Sequence, residues 1–229
     1  MEMFSTAATY FHKGGYVMYV LLLCSIFVVA IAAERARFFA KADAGRAFGR
    51  KFYECVTNGD YDMAQSLAQN SPGILPELLT GAFHLLLGGN RAVASFLEVQ
   101  SGIALSQLRR RLYYLNVIVT LSPLLGLLGT IIGMISAFSV FNLDAGEPSA
   151  ITGGVGEALI ATAMGLCVAI IALAVHAYFS QRIENIVTDM EMCFSVAENS
   201  RIELARAAGV KGVIETSLHS GDAAEGDEA

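Results

Sequence analysis

Three long apolar stretches, separated by more polar segments, dominate the pattern of hydrophobic and polar positions along the chain. They cover residues 14–33, 112–141 and 151–179, and each has the roughly 20 residues that an α-helix needs to cross the hydrocarbon core of a bilayer. The first stretch follows a lysine, as in a secretory signal, but its length exceeds the roughly 7–15 apolar residues of a signal-peptide core. The pattern predicts an all-α integral membrane protein with three transmembrane helices.

The polar region 34–111 is also predicted to be helical. Turn signals rich in Asn, Gly and Pro lie at 58–60, 70–73 and 88–90, which divides the region into short helices. Apolar residues recur with helical spacing over 61–69 and 73–87. The second of these helices is expected to have Pro72 or Pro76 in its first turn, a position where a missing N–H costs nothing.

Two helices are predicted to be much longer than the membrane is thick. Helical spacing runs without a breaker from Arg91 into the second apolar stretch, which predicts one long helix from about Arg91 to Phe141. The same spacing continues from the third stretch to about Ala208. A helix from residue 151 to that point would be on the order of 80 Å long. We therefore expect helices 2 and 3 to project into the cytoplasm and to pack on each other there.

Basic residues set the predicted orientation of these helices. All Lys and Arg residues except Lys13 follow the first apolar stretch, and none lies between 112 and 181. Those that adjoin a predicted membrane end are interpreted as anchors, namely Arg35, Arg37, Arg109, Arg110, Arg111 and Arg182. By the positive-inside rule the N-terminus and the acidic turn 142–150 are periplasmic, and the region 34–111 and the C-terminus are cytoplasmic.

The predicted organisation therefore has eight parts. They are a periplasmic interfacial segment at 1–13 (or simply a frayed terminus), transmembrane helix 1 at 14–33, a cytoplasmic helical region at 34–111, transmembrane helix 2 at 112–141, a periplasmic turn at 142–150, transmembrane helix 3 at 151–179, a cytoplasmic helix at 180–208 and a flexible acidic tail at 209–229.

Composition agrees with a polytopic membrane protein and narrows the function. The 229 residues are 55% hydrophobic and 16% charged, with a mean hydropathy of +0.54. The net charge of −6 owes much to the acidic tail and gives no reason to expect a nucleic-acid partner. No catalytic motif and no metal-ligand spacing occurs, and the four cysteines form no CxxC pair. We expect no enzyme activity, no cofactor and no metal.

One carboxylate stands out in the third apolar stretch. Glu157 is the only ionisable residue between 151 and 179 apart from His176. A carboxylate at the bilayer centre costs about 2.5–3.5 kcal/mol on insertion scales, so such a residue usually faces a partner, the protein interior or water. Glu157 is therefore a candidate functional group. The alternative is that it lies near the outer mouth and extends its side chain to the aqueous phase.

Small and hydroxyl residues form stripes on the second and third apolar stretches. The predicted pore-lining and packing residues, all small, are Gly126, Gly129, Gly133, Ala161 and Gly165, and such stripes let helix backbones approach closely in lipid. Counted from the flanking arginines, Thr130 and Thr162 fall at nearly one depth, with Glu157 about a turn and a half farther out. Two hydroxyls and a carboxylate are suitable parts of a proton path. For either threonine alone, the alternative is a bond to its own helix.

These residues also carry a family resemblance. The segments SPLLGLLGTIIGM (122–134) and GEALIATAMGL (156–166), with three apolar stretches and about 80 polar residues between the first two, resemble the ExbB/TolQ branch of the MotA/TolQ/ExbB proton-channel proteins. MotA, the flagellar stator protein, is less similar because its span lacks the glutamate. The chain departs from the branch at 169–172, where Ala-Ile-Ile-Ala replaces a usual proline, so no kink is expected there.

The resemblance implies a function and a set of partners. It implies an inner-membrane ring, a homopentamer, around a pore that holds two copies of an ExbD/TolR-type single-span partner, with contacts to membrane lipid and to a TonB- or TolA-like protein. Glu157, Thr130 and Thr162 would form the proton path of a motor that drives TonB- or Tol-like work at the outer membrane. The alternatives are a non-conducting scaffold for partner helices and a flagellar-stator-like subunit.

Overall fold

The computed structural model describes residues 15–83, 85, 90–143 and 148–207, and the secondary structure in these ranges is α-helical. This confirms the predicted all-α class. The helices are α1 (Gly15–Ala42), α2 (Arg46–Asn58), α3 (Tyr61–Asn70), α4 (Ile74–Phe83), α5 (Asn90–Arg109), α6 (Leu112–Leu143), α7 (Pro148–Asn199) and α8 (Arg201–Ala207).

Helices α1, α6 and α7 contain the three predicted apolar stretches. Among the described residues, three helical regions are long and apolar enough to cross a membrane. Most of each apolar stretch is not buried by the rest of the chain, and large side chains such as Leu23, Leu124 and Ile170 are more than half exposed. So large an apolar surface is unusual for a soluble monomer but natural for helices surrounded by lipid. The structure thus contains the three predicted helices, each long and apolar enough to span a membrane.

The turn signals between the short helices act as predicted. After α2, Gly59 adopts φ +84° and its N–H caps the helix by donating to the carbonyls of Cys55 and Val56. Helix α3 ends at Asn70, and α4 begins at Ile74 with Pro76 in its first turn. The predicted helix 73–87 is observed as far as Phe83. Most of the remainder, and the turn signal at 88–89, lies outside the described residues.

The second turn also brings two loops into contact. Gly73 has φ +130°, and a Cβ atom placed on it would lie 2.9 Å from the backbone nitrogen of Ala44, in the loop between α1 and α2. Both the backbone conformation and the available space therefore require glycine at this position.

The predicted continuous helix 91–141 is divided into two. Helix α5 ends at Arg109 and α6 begins at Leu112, so Arg110 and Arg111 form a turn. Arg109, in the second unit, pairs with Glu184 of α7. Arg111, in the first unit, pairs with Glu34 of α1.

Helix α7 is continuous for 52 residues, from Pro148 to Asn199. Proline suits the first position of a helix, where its fixed φ fits and its missing N–H is not needed. Residues 169–172 lie inside this uninterrupted helix, in agreement with the absence of a proline there. The predicted extension continues after Ser200 as α8, and residue 208 and the acidic tail lie outside the described ranges.

The chain divides into two compact units. The first comprises residues 1–36 and 110–180, and thus the apolar parts of α1, α6 and α7. Among the described residues of this unit, two apolar clusters lie in the interior. One joins Val28 and Ile31 of α1 with Leu115, Ile118, Val168 and Ala172, and the other joins Val17, Met18 and Leu21 of α1 with Ala161.

The second unit comprises residues 37–109 and 181–229. Stacked phenylalanine rings at Phe48, Phe52 and Phe83, with centroids 6.0 and 6.4 Å apart, connect α2 to α4. Buried Cys193 donates its thiol to the Gly49 carbonyl at 3.6 Å. Burial, and secondarily the Asp189 carboxylate, raises the pKa of this thiol to about 12, so Cys193 behaves as a small apolar residue.

Candidate functional site

Helices α6 and α7 pack through small residues at very short range. A Cβ atom on Gly165 would lie 2.6 Å from the carbonyl oxygen of Ser122, and one on Gly133 would lie 2.8 Å from the Cβ of Ala158. The predicted packing residues, which all lie in this contact, are Gly126, Gly129, Gly133, Ala161 and Gly165. Only glycine at several of these positions allows such an approach.

The contact fixes an antiparallel register between the two helices. Gly129 faces Ala161, Gly133 faces Ala158, and Gly154 faces Ala137. In this register Thr130, next to Gly129, lies within about one helical turn of Thr162 in depth. The predicted similarity in depth of the two hydroxyls agrees with this packing.

The hydroxyl of Thr162 bonds across the contact. It donates to the carbonyl oxygen of Gly126 at 2.9 Å, and the side chain is partly buried. The bond is possible because Gly126 has no side chain: a Cβ there would lie 3.0 Å from the Cα of Thr162. Thr162 thus bonds to the neighbouring helix and not to its own.

Thr130 behaves differently. Its hydroxyl donates to the carbonyl of Leu127, three residues earlier in the same helix, at 2.6 Å. This is a back-bond of the kind that Ser and Thr commonly make in helices, although to the third preceding residue rather than the fourth. The two predicted proton-path threonines therefore have different hydrogen-bond partners.

Glu157 belongs to α7, where it precedes Ala158 and so lies at the level of Gly133. It is five residues from Thr162, a helical rise on the order of 7.5 Å. Its side chain lies outside what the structure describes.

A third hydroxyl in this contact was not predicted. Ser122 is fully buried on α6, and its Oγ is the one buried side-chain oxygen or nitrogen of the described residues that lacks a hydrogen-bond partner. The signal in the sequence was a polar residue directly before Pro123, on the same face as Gly126 and Gly129. That face was recognised only through its glycines.

Within the described part of the chain, four of the six predicted anchors form ion pairs. In the first unit Glu34 forms ion pairs with Arg35 at 3.3 Å and with Arg111 at 2.9 Å, and Arg35 is only 4% exposed. In the second unit Arg109 pairs with Glu184 at 3.3 Å. Arg182 donates both Nε and Nη2 to one carboxylate oxygen of Asp43, at 3.2 and 2.9 Å. Sequence reasoning noted the arginines but missed Glu34 and Asp43.

Carboxylates of the second unit do not form an obvious metal site. Within the described ranges, no three His, Cys, Asp or Glu side chains are placed to hold a metal ion. Asp189 borders a cleft that Asp43 also lines. The pKa of Asp189 is raised, chiefly by burial, with an opposing effect of Arg46 and a smaller supporting effect of Asp43.

The fold and the α6–α7 contact define an α-helical membrane protein in which two apolar helices meet through glycines and hydroxyls. The MotA/TolQ/ExbB proton channel family matches residues 82–192 of the chain. The putative biopolymer transport protein ExbB-like 1 of Synechocystis sp. is 31% identical over 199 residues, which cover 85% of this chain and 76% of that protein.

Two further relatives of the chain also carry ExbB names. ExbB-like 3 of the same Synechocystis strain is 34% identical over 174 residues, covering 70% of this chain and 78% of that protein. The biopolymer transport protein exbB1 of Vibrio cholerae is 29% identical over 167 residues, covering 70% of this chain and 73% of that protein. The chain belongs to the MotA/TolQ/ExbB proton channel family, in its ExbB/TolQ branch.

Proposed function

We propose that this chain is the channel subunit of a proton-driven motor of the ExbB/TolQ type. Five copies form a ring in the bacterial inner membrane around two copies of an ExbD/TolR-type single-span partner. The complex couples inward proton flow to TonB- or Tol-like work at the outer membrane. Family membership and the name "biopolymer transport protein" of three relatives support this assignment.

The observation that carries the proposal is the Thr162–Gly126 hydrogen bond inside the glycine contact of α6 and α7. It places a hydroxyl and a backbone carbonyl in a bond between two largely apolar helices, about a turn and a half along α7 from Glu157. Polar groups within a membrane segment are costly and mark ion or proton pathways.

The residues of the path have different chemical roles. Glu157 can bind and release a proton, so it carries the change in charge. Thr130 and Thr162 do not ionise at neutral pH and instead donate and accept hydrogen bonds to water along the path. Each proton that crosses yields about 2.3 kcal/mol per 100 mV of membrane potential, which is the energy available for mechanical work.

The distribution of arginines supports the orientation of the subunit. The N-terminus and the turn before α7 are periplasmic, and the second unit and the C-terminus are cytoplasmic, by the positive-inside rule. The division of the chain supports this arrangement, because it falls close to the basic residues at 35–37, 109–111 and 182.

The decisive experiment replaces the carboxylate of Glu157. We expect Glu157→Gln to leave the complex assembled but to reduce proton flux into proteoliposomes to the level of protein-free liposomes, because the side chain can no longer change charge. Glu157→Asp should keep part of the flux, since a titrating group remains about one methylene away.

The matched control is Glu98→Gln, which makes the same change at an exposed position of α5 and should leave flux unchanged. If Glu157→Gln supported normal flux and normal energised uptake in cells, the chain would be a non-conducting scaffold and the proposal would be wrong.

A further inference from the structure

Ser122 lies on α6 between an apolar cluster of the first unit and the Thr162–Gly126 hydrogen bond. One turn toward the N-terminal end of α6, Ile118 belongs to the larger apolar cluster. One turn in the other direction, Gly126 accepts the hydrogen bond of Thr162. Ser122 itself is 0% exposed. Toward the N-terminal end of α6, its hydroxyl is therefore the next polar side chain of the α6–α7 contact after that of Thr162.

The hydroxyl does not make the bond that its helix offers. A buried hydroxyl without a partner is unfavourable, and Ser or Thr in a helix usually donates to a carbonyl three or four residues earlier. Thr120, Thr130 and Ser139 of the same helix do so, at 2.9, 2.6 and 2.8 Å. Within the described part of the chain, the Ser122 hydroxyl has no such bond.

A second polar group of the same turn lacks its usual donor. Pro123 lies inside α6 and has no N–H to donate to the carbonyl of Val119, four residues earlier. Helical side chains lean toward the N-terminus whereas carbonyls point toward the C-terminus, so the Ser122 hydroxyl and the Val119 carbonyl belong to the same turn. Hydroxyl and carbonyl together are a suitable pair of ligands for one water molecule.

Helix α7 passes directly beside this turn. Gly165 faces this turn. A Cβ atom placed on Gly165 would lie 2.6 Å from the Ser122 carbonyl oxygen and 3.0 Å from the Cα of Gly126. Ser122 lies four residues before Gly126 on α6, so the turn of Ser122 and the Thr162–Gly126 bond are about 6 Å apart within one contact.

We propose that Ser122 is a positioning residue of the proton path, whose hydroxyl holds a water molecule between Thr162 and the N-terminal end of α6. This inference rests on the proposed function, because it assigns the next polar position of the same path after Glu157 and Thr162. The hydroxyl neither gains nor loses a proton overall. The hydroxyl donates a hydrogen bond to the water molecule, and it accepts one from that water as a proton passes through it.

The first test compares Ser122→Ala with Ser139→Ala, which removes a hydroxyl from an exposed position of the same helix. We expect Ser122→Ala to lower proton flux of the purified complex about fivefold, the factor that corresponds to one hydrogen bond of about 1 kcal/mol. Ser139→Ala should keep the parental flux. Ser122→Cys, which has nearly the same shape and a weaker hydrogen bond, should fall between Ala and the parent.

Thermal stability separates a water-binding role from a packing role. If the hydroxyl were truly without a partner, its removal would raise the melting temperature of the complex, whereas a hydroxyl bonded to water gives no such gain. Parental flux together with a raised melting temperature in Ser122→Ala would overturn the inference. A loss of flux without a gain in stability supports it.

Two further results keep the inference distinct from the proposed function. Blocked flux in Glu157→Gln with parental flux in Ser122→Ala refutes only the role of Ser122, whereas parental flux in Glu157→Gln refutes the proton-channel function itself. A high-resolution map of the unmodified complex needs no variant. It should show water within hydrogen-bond distance of Ser122 Oγ, and a hydroxyl bonded directly to the Ile118 or Val119 carbonyl would overturn the inference.

Discussion

At the scale of single residues, the two threonines of the candidate path differ in what their hydroxyls hold together. Thr162 connects α7 to the Gly126 carbonyl of α6, whereas Thr130 bonds within its own helix. The first bond contributes to helix association, and the second does not. The same side-chain type therefore has two structural consequences in one contact.

This difference predicts different effects of the same substitution. Thr162→Val should lower both proton flux and stability, the latter by about 1 kcal/mol, because the hydrogen bond from α7 to the Gly126 carbonyl is lost. Thr130→Val should lower flux with little loss of stability, and Thr→Ser at either position should be mild. Thermal denaturation and proton flux, each measured beside Thr120→Val as an exposed control, test this. Equal destabilisation by both variants would contradict the packing.

At the scale of secondary-structure elements, the α6–α7 pair depends on backbone approach rather than on large apolar side chains. The closest approach is that of Gly165 to the Ser122 carbonyl. Backbone atoms cannot move aside as a flexible side chain can, so an added methyl group there must separate the helices. Lipid does not drive such helices together through the hydrophobic effect, which leaves close packing as a main source of their association.

Substitutions of these glycines should therefore disrupt assembly. Gly165→Leu and Gly133→Leu are expected to reduce the yield of intact complex more than Leu125→Ala does. Gly165→Ala should already lower the melting temperature. Gly102→Ala on α5, where the structure leaves open space, should be neutral or stabilising by up to about 1 kcal/mol, because Ala favours helix more than Gly does. Comparable yields for the Gly165, Gly133 and Leu125 variants would show that the stripe does not hold the helices together.

Some of these elements could be predicted from the sequence and others could not. Apolar stretches of 20 residues and Asn-Gly or Pro-Gly turns act locally, so the three long helices and the ends of α2 and α3 follow from short-range rules. The break at Arg110 and Arg111, the burial of Arg35 and the unpaired hydroxyl of Ser122 depend on which carboxylate or helix lies opposite. Such pairings depend on the tertiary structure, so no periodic pattern in the sequence indicates them.

At the scale of the whole molecule, orientation in the membrane decides in which direction the proposed path runs. Glu157 lies near the start of α7, and Ser122 lies nearer to the arginines at 109–111. If the arginines are cytoplasmic, protons meet Glu157 first and Ser122 later. The direction of the membrane potential then favours inward flow along this order of residues.

Cysteine labelling in whole cells tests this orientation. In a background that lacks the four native cysteines, Ser149→Cys should react with a membrane-impermeant maleimide added outside the inner membrane. Ser217→Cys should react only after the membrane is permeabilised, and Ser106→Cys on an exposed face of α5 should behave in the same way. Labelling of positions 149 and 217 from the same side would refute the three-span topology.

The contact between Gly73 and Ala44 has a consequence for how this part of the chain can vary. Two loops that are about 30 residues apart in the sequence meet at very short range, where Gly73 faces the backbone and the methyl group of Ala44, so little side chain is present at the contact that could be shortened to make room. An insertion in one loop would therefore have to be matched by a change in the other. Among relatives that keep this contact, we expect differences in length between the helices to accumulate in other loops, while these two loops keep a constant length.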